Sequence, residues 1–582
     1  MQKVFEYMKP YSWMLFVTAI LLAVEAYTAM IMPSFMANIV NDGVLAGHLP
    51  VIWRNGAIML SITVLSMSLA VLSGYFSART STNVANDMRE AVFKKVLSFS
   101  SAEVNRFSTS SLMTRTTNDI MQVQNTMMMA IRQFIYAPFL GIGGLIRAVD
   151  RNASLTWIVA LSTIIMIVSL CIVFFVALPK FNIVQSLIDR LNLVSRENLS
   201  GVLIVRAFNT QKFERERFKK ANKDLADTNL FISQTFAFMT PIIMLVLNLT
   251  TAAIVWVGAR EASAFRADIG DIFAFLQYGL LIIFAFLMVA FVLVMLPRAV
   301  VSANRIQEVL NTKGSIVNKK NPVRLKNGVK GIVEFRNVDF RYPDAQDDDE
   351  DVLNGINFTS SPGTTTAIIG ATGSGKTSIF KLLLRFFDVT RGGVYLDGVD
   401  IRDIHKEDLH TQIGYVAQKA MLFTGTIESN LLYADKNASE ERILEAVETS
   451  QSAAFIESKE DGYKTNVAQG GTNFSGGQRQ RLSIARALVK KAQVYLFDDS
   501  FSALDVKTDA QLRAALKNKM SDKTIIVIAQ RVSSIMDADQ IIVLDGGAIA
   551  GLGTHAQLMK ECDVYKEIAA SQLSEEELGG VS

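Results

Sequence analysis

Cysteine is almost missing from this chain: two occur in 582 residues, Cys171 inside an apolar run and Cys562 near the end. That count leaves no room for a disulfide framework or a Cys-ligated metal site. Net charge is scarce too, at +3, and no stripe of Lys and Arg dominates any region, so the electrostatic footprint of a nucleic-acid binder is lacking. The first ten residues, MQKVFEYMKP, do not carry a charged head, short apolar core and small-residue cleavage site in secretory order. They read as a short amphipathic helix on the cytoplasmic face. Charged residues are only 19% of the chain against 50% hydrophobic, with a mean hydropathy of +0.28. That balance is too oily for a wholly soluble protein and too charged for a wholly embedded one, and at this length at least two cores are expected.

What the chain has is hydrocarbon in long runs. Six runs, at residues 13–35, 52–76, 129–149, 155–178, 236–257 and 272–296, can each cross a bilayer core of ~30 Å, which takes roughly 20 helical residues because no water is there to satisfy loose backbone groups. The connections at 41–50, 150–154 and 260–271 are short. Those at 77–125 and 180–235 are long, helix-forming and rich in Lys and Arg, among them Arg89, Lys94, Arg115, Arg196, Arg215 and Lys219. The positive-inside rule puts both long connections, and both ends of the chain, in the cytoplasm of a multi-pass protein of the cell membrane. Pro33, Pro138 and Pro241 fall inside spans and read as shaping kinks. Glu25 lies near mid-span, where a carboxylate is costly unless it meets a cavity, a partner or a proton, so it is a candidate functional residue. The alternatives for it are a hydrogen bond internal to the bundle and a span shifted toward the interface. Arg132 and Arg147, close to span ends, are expected to snorkel without a role.

The fold class that follows is a membrane helical bundle over residues 1–310, a polar linker over 311–330, and a soluble α/β domain over 331–582. The soluble part opens on GIVEFRNVDFRYP, an alternating strand pattern, followed by an acidic run at 347–351 that reads as a solvated turn, and by the strand TTTAIIG. That strand runs into Gly370-Ala371-Thr372-Gly373-Ser374-Gly375-Lys376-Thr377, with Ser378 next, which fits the Walker A spacing G-x-x-x-x-G-K-[ST] and opens a helix. Glycines let successive backbone N–H groups wrap a phosphate, Lys376 reaches its outer oxygens, and the Thr377 hydroxyl can ligate Mg²⁺. The apolar strand QVYLFD ends on Asp498, the carboxylate for the Mg²⁺ side of the same site, with Asp499 after it. ATP and Mg²⁺ are the cofactors expected.

Between those motifs, Asn473-Phe474-Ser475-Gly476-Gly477-Gln478 resembles the LSGGQ signature of ATP-binding cassette (ABC) proteins, with Phe474 in the first place. The resemblance extends over essentially the whole chain, to ABC half-exporters of six spans and one cassette. It implies that two cassettes close head to tail on two ATPs, each held between one Walker A and the other subunit's signature. It also implies that Tyr342 stacks on adenine, that Gln418 contacts Mg²⁺, that Ser502-Ala503-Leu504-Asp505 is the D-loop, and that short coupling helices lie near 100–107 and 208–218.

Departures from the family pattern carry information. Where the family has a glutamate that polarises the attacking water, this chain has Asp499, one methylene shorter. Where it has a switch histidine, this chain has Gln530, which cannot carry charge, and Gln469 stands ahead of the signature where exporters tend to have a glutamate. The resemblance is therefore to the degenerate-site subunit of heterodimeric bacterial exporters. A second, different ABC half-transporter subunit with Glu and His in its ATP site is implied, with a lipophilic small molecule or lipid as cargo. A homodimer, and an ATP-gated channel or regulator, are the alternatives.

Overall fold

The computed structural model describes residues 2–264, 267–325, 328–345 and 350–573. The chain forms two compact units: Met1–Leu97 with Ser110–Thr312, and Ser98–Thr109 with Lys313–Ser582.

The first unit is helical. Its elements are α1 (Gln2–Met8), α2 (Ser12–Asn38), α3 (Leu49–Leu97), α5 (Thr109–Thr116), α6 (Asn118–Arg151), α7 (Ala153–Ser200), α8 (Val202–Ala207), α9 (Gln211–Ala237), α10 (Met239–Ser263) and α11 (Ile269–Asn311); α4 (Ser101–Phe107) falls in the second unit. Six helical stretches among the described residues are long and apolar enough to cross a membrane. Several run far past the hydrocarbon: α7, with 48 residues, is about 72 Å long at 1.5 Å per residue. Tyr278 is fully buried among Ala37, Leu155, Ile254 and Phe275, and its hydroxyl meets Ser34 Oγ at 3.0 Å. Gly270 lets α11 begin against α2: a Cβ there would run into the Ala37 carbonyl, and its N–H donates to Asn41 Oδ1 at 2.7 Å.

Three sequence-based expectations change here. Pro241 sits in the first turn of α10, where a missing N–H costs nothing, while Pro33 and Pro138 are inside α2 and α6. The short helix of the second long connection is α8; within the expected 208–218 segment, residues 208–210 form a turn, with Asn209 at φ +55°, and residues 211–218 are the first turns of the long helix α9. Arg132 does not merely snorkel; its Nη2 lies 3.5 Å from Glu25 Oε1. Arg147 covers the Tyr27 ring and donates to its hydroxyl at 3.1 Å.

In the second unit a four-stranded antiparallel sheet has the order β2 (Leu353–Ser360), β1 (Val333–Phe340), β4 (Arg391–Leu396), β5 (Val399–Asp400). A six-stranded sheet has the order β12 (Ala548–Gly553), β11 (Gln540–Asp545), β3 (Thr365–Gly370), β10 (Thr524–Ile528), β9 (Val494–Asp498), β6 (Ile413–Val416), parallel except for β12. Helix α12 (Lys376–Leu383) lies in one core with residues of both sheets, burying Ile379, Phe380 and Leu383. The other face of the six-stranded sheet packs a second core that includes Ile484, Leu512, Leu516 and Tyr565. Part of the acidic run, residues 347–349, lies outside the described residues.

The polar stretch read as a linker is laced to the second unit. Val323 pairs with Ile404, and Lys406 Nζ donates to the Ile316 carbonyl at 3.0 Å. Arg385, just past α12, is buried with φ +51° and donates to the carbonyls of Ile401 and Val317 and to Asp388. Glu103 of α4 closes a capping box with Ser100 and accepts from the Ser315 N–H at 2.9 Å. That contact explains why residues 98–109 group with this unit.

Candidate functional site

The carboxyl ends of the parallel strands, where α/β sheets bind ligands, bring the expected residues together. β3 ends on Gly370, whose absent Cβ is required because one would collide with the Leu544 carbonyl. Gly375 caps α12 at φ +93°, with the Val352 carbonyl 2.9 Å from where a Cβ would be. Between them Ala371, Thr372, Gly373 and Ser374 turn the chain into α12. Lys376 Nζ folds over this loop, donating to the carbonyls of Gly370 at 2.8 Å and Ala371 at 2.6 Å.

β9 delivers Asp498, and the Thr377 hydroxyl donates to its Oδ1 at 3.3 Å. A hydroxyl and a carboxylate oxygen this close suit Mg²⁺, which binds through one or two carboxylates and fills the rest of its octahedral shell with other oxygens, mainly of phosphate and water. Burial pushes the carboxyls of Asp498 and Asp499 above the usual range, and the Tyr415 hydroxyl beside them is pushed up to about 12, by burial first and then by Asp498.

Asp499 is the residue whose surroundings sequence reasoning missed. Its backbone is left-handed, φ +46°, and its Oδ2 accepts two side-chain amides: Gln418 Nε2 at 3.2 Å and Gln530 Nε2 at 2.8 Å. Gln530 follows β10 and Gln418 follows β6, so three neighbouring strand ends converge on one carboxylate. Individual motifs named these residues, but no local signal tied them together.

Tyr342 stands beside the phosphate loop. Its hydroxyl lies 2.9 Å from Ser378 Oγ and accepts from Lys381 Nζ at 3.1 Å, while its ring meets Phe340 and Phe387 edge-on. At the signature, Ser475 caps α17 (Gly476–Val489): Ser475 Oγ accepts from the Gln478 N–H at 3.2 Å, and Gln478 Oε1 accepts from the Ser475 N–H at 3.0 Å. Phe474 is buried behind it. Gly476 and Gly477 thus begin a 14-residue helix, the end that favours anions. Gly477 packs on the Ala503 carbonyl, and Asp505 caps α18 (Val506–Lys519) through the Thr508 N–H at 3.0 Å. Glu25 is in the other unit, 5% exposed, and accepts from Ser73 Oγ at 3.1 Å.

A phosphate-loop ATPase domain joined to six membrane-spanning helices defines a class of ATP-driven membrane transporters. Two family models match, the ABC transporter transmembrane region over residues 15–287 and the ABC transporter domain over 353–502. An uncharacterised ABC transporter ATP-binding protein of Mycobacterium tuberculosis (strain CDC 1551 / Oshkosh) is 41% identical over 579 residues, 99% of each chain. An ATP-dependent lipid A-core flippase of Aromatoleum aromaticum is 31% identical over 513 residues, 87% of this chain and 83% of the flippase. A bacterial Atm1-family ABC exporter solved with ATP bound shares the fold at a TM-score of 0.78 and 23% identity, over 96% of this chain and 98% of that one. The chain belongs to the ABC transporter family, with the architecture of a half-exporter.

Proposed function

We propose that this chain is the weakly hydrolysing subunit of a heterodimeric ABC exporter that moves lipophilic compounds, drugs or lipids, out across the bacterial plasma membrane, with its ATPase domain and both termini in the cytoplasm. The observation that carries this reading is Asp499, one methylene short, with two amides on a single oxygen. A carboxylate drawn back by about 1 Å costs on the order of 10²-fold in rate, since positioning is most of what phosphoryl transfer asks of a protein. Gln530, in the switch position, supplies no charge.

Binding is another matter. The loop from Gly370 to Thr377 wraps the phosphates, Lys376 exchanges its carbonyl partners for phosphate oxygens, and Tyr342 stacks on the adenine. Thr377, Asp498 and the side-chain oxygen of Gln418 hold Mg²⁺, which neutralises phosphate charge. ATP at this site stays bound and helps hold the two cassettes together. Turnover takes place at the opposite site, built from the partner's Walker residues and this chain's signature, Phe474 to Gln478. The lipid A-core flippase among the relatives supports a lipidic or lipophilic cargo.

ATPase assays on the assembly reconstituted with its co-purifying partner test this. Asp499→Asn is expected to keep activity within about twofold, and Ser475→Arg or Gly477→Asp to abolish it. Loss of nearly all activity in Asp499→Asn, with the signature variants active, points instead to a homodimer hydrolysing at two equal sites.

A further inference from the structure

Glu25 remains outside the ATP chemistry, and its surroundings name a ligand class. Both its oxygens are engaged, Oε2 by Ser73 Oγ at 3.1 Å and Oε1 by Arg132 Nη2 at 3.5 Å. At 5% exposure the carboxylate is sealed from any ligand. Arg132 is the reverse. Its side chain is 43% exposed, and Glu25 is its only hydrogen-bonding or ionic partner among the described residues, at a distance longer than the 2.7–2.9 Å typical of a charge-assisted bond. Most of its five N–H donors are therefore unspent, within a segment long and apolar enough to cross a membrane, where unspent donors are costly.

Around it, α6 exposes hydrocarbon. Met128, Phe139 and Ile142, at helical spacing from Arg132, are 38%, 50% and 62% exposed, so one face of the helix offers a single guanidinium within an apolar stripe. On α3, the hydroxyls of Ser77 and Thr80, one and two turns from Ser73, are buried without a partner among the described residues, which adds unsatisfied polar capacity to the same strip of helix.

We propose that Arg132, oriented by its buried counter-ion Glu25, docks the anionic head of an amphiphilic substrate, a carboxylate or phosphate on a hydrocarbon tail. The planar fork of arginine matches such a head with two parallel hydrogen bonds, and the tail lies along the exposed stripe of α6. Glu25 is a positioning residue here and Arg132 the contact. The inference rests on the export reading above and narrows its substrate from lipophilic compounds to anionic amphiphiles.

The test uses the assembly with its co-purifying partner in phosphatidylcholine nanodiscs. Oleate is the anionic probe and rhodamine 6G the lipophilic cation, and the oleate concentration giving half-maximal ATPase stimulation is measured. Arg132→Gln is expected to raise that concentration tenfold or more while the rhodamine response is kept, and Arg132→Lys, which keeps charge but loses the fork, to fall between. If Arg132→Gln fails to fold with Glu25 left alone, the double variant Glu25→Gln/Arg132→Gln restores a neutral hydrogen-bonded pair and is expected to give the same loss. An unchanged oleate response in either variant overturns the proposal, as does a defect that follows only phosphatidylglycerol added to the disc, which would make Arg132 a bilayer-lipid contact. Failure of the export reading looks different: the wild-type assembly moves no amphiphile in an ATP-dependent way.

Discussion

Gln530 Nε2 donates to Asp499 Oδ2 across 2.8 Å, so the residue proposed for the switch position and the one proposed to polarise water are tied to each other. Gln418 adds a second amide to the same oxygen. Lengthening the carboxylate alone leaves both amides in reach, so Asp499→Glu is expected to raise single-turnover hydrolysis at this site only severalfold. Asp499→Glu with Gln530→His, which restores reach and a titratable switch together, is expected to raise it tenfold or more. Quench-flow measurement of the first turnover checks this, and an unchanged rate in the double variant would reject the explanation.

Nucleotide affinity should depend on Lys376 more than on either acidic residue. Its ammonium is presented by α12 and held by two loop carbonyls, ready to exchange them for anionic oxygens. Charge-assisted hydrogen bonds contribute about 1.5–3 kcal/mol each, so Lys376→Ala is expected to weaken ATP binding by roughly tenfold to a hundredfold. Titration with a fluorescent ATP analogue measures it, and wild-type affinity in the variant would count against the assigned loop.

Glu103 caps α4 and takes the Ser315 N–H with its other oxygen, joining the first long connection to the segment that follows α11. Removing a cap costs about 0.5–2 kcal/mol. Glu103→Ala should therefore speed amide hydrogen exchange in residues 98–109 and 313–316 together, while Glu103→Gln should restore much of the protection. Faster exchange in the first segment alone would mean that the Ser315 contact contributes nothing.

Acid should loosen the second unit through His410. Burial lowers its pKa, and its Nε2–H donates to the Leu384 carbonyl at 2.9 Å. A histidine lowered in the folded state binds its proton more readily when unfolded, so the contribution is whole above the unfolded value of about 6.5 and is lost as pH falls below it. Asp498 and Asp499, raised by burial, act in the opposite sense. Their cost is complete at neutral pH and shrinks in acid. The Tm of the purified chain is expected to fall between pH 7.5 and 5.5, and by less in His410→Gln, which keeps a donor for Leu384. An equal fall in both proteins would discount this histidine.

Hydropathy and short motifs are local properties of a chain, which is why the six spans, the phosphate loop, Asp498 and the signature could be read from residue order. Pairings between distant residues could not. Nothing near Arg132 points to Glu25, and nothing near Gln418 or Gln530 points to a shared oxygen on Asp499. The segment after Asn311 reads as a linker because it is polar and rich in Gly, Asn and Pro. Its partners Arg385, Ile404 and Lys406 lie far along the sequence, so composition gave no hint of them. The short helix α8 was missed for a related reason: residues 208–218 carry the charge expected of a surface helix, whereas α8 is mostly apolar and exposed.

The docking of that connector changes how the two halves of the chain can communicate. With Ser315 held by Glu103, Ile316 by Lys406, Val317 by Arg385 and Val323 by the 403–405 turn, the slack after Thr312 shrinks to Lys313 and Gly314. Two residues span about 7 Å at full stretch. The tether is thus a short leash, not a swivel of twenty residues. Any displacement of the ATPase domain beyond that reach must pull on the end of α11, and because Arg385 grips the same segment just behind α12, the helix that carries Lys376 sits one side chain away from the leash it would tug.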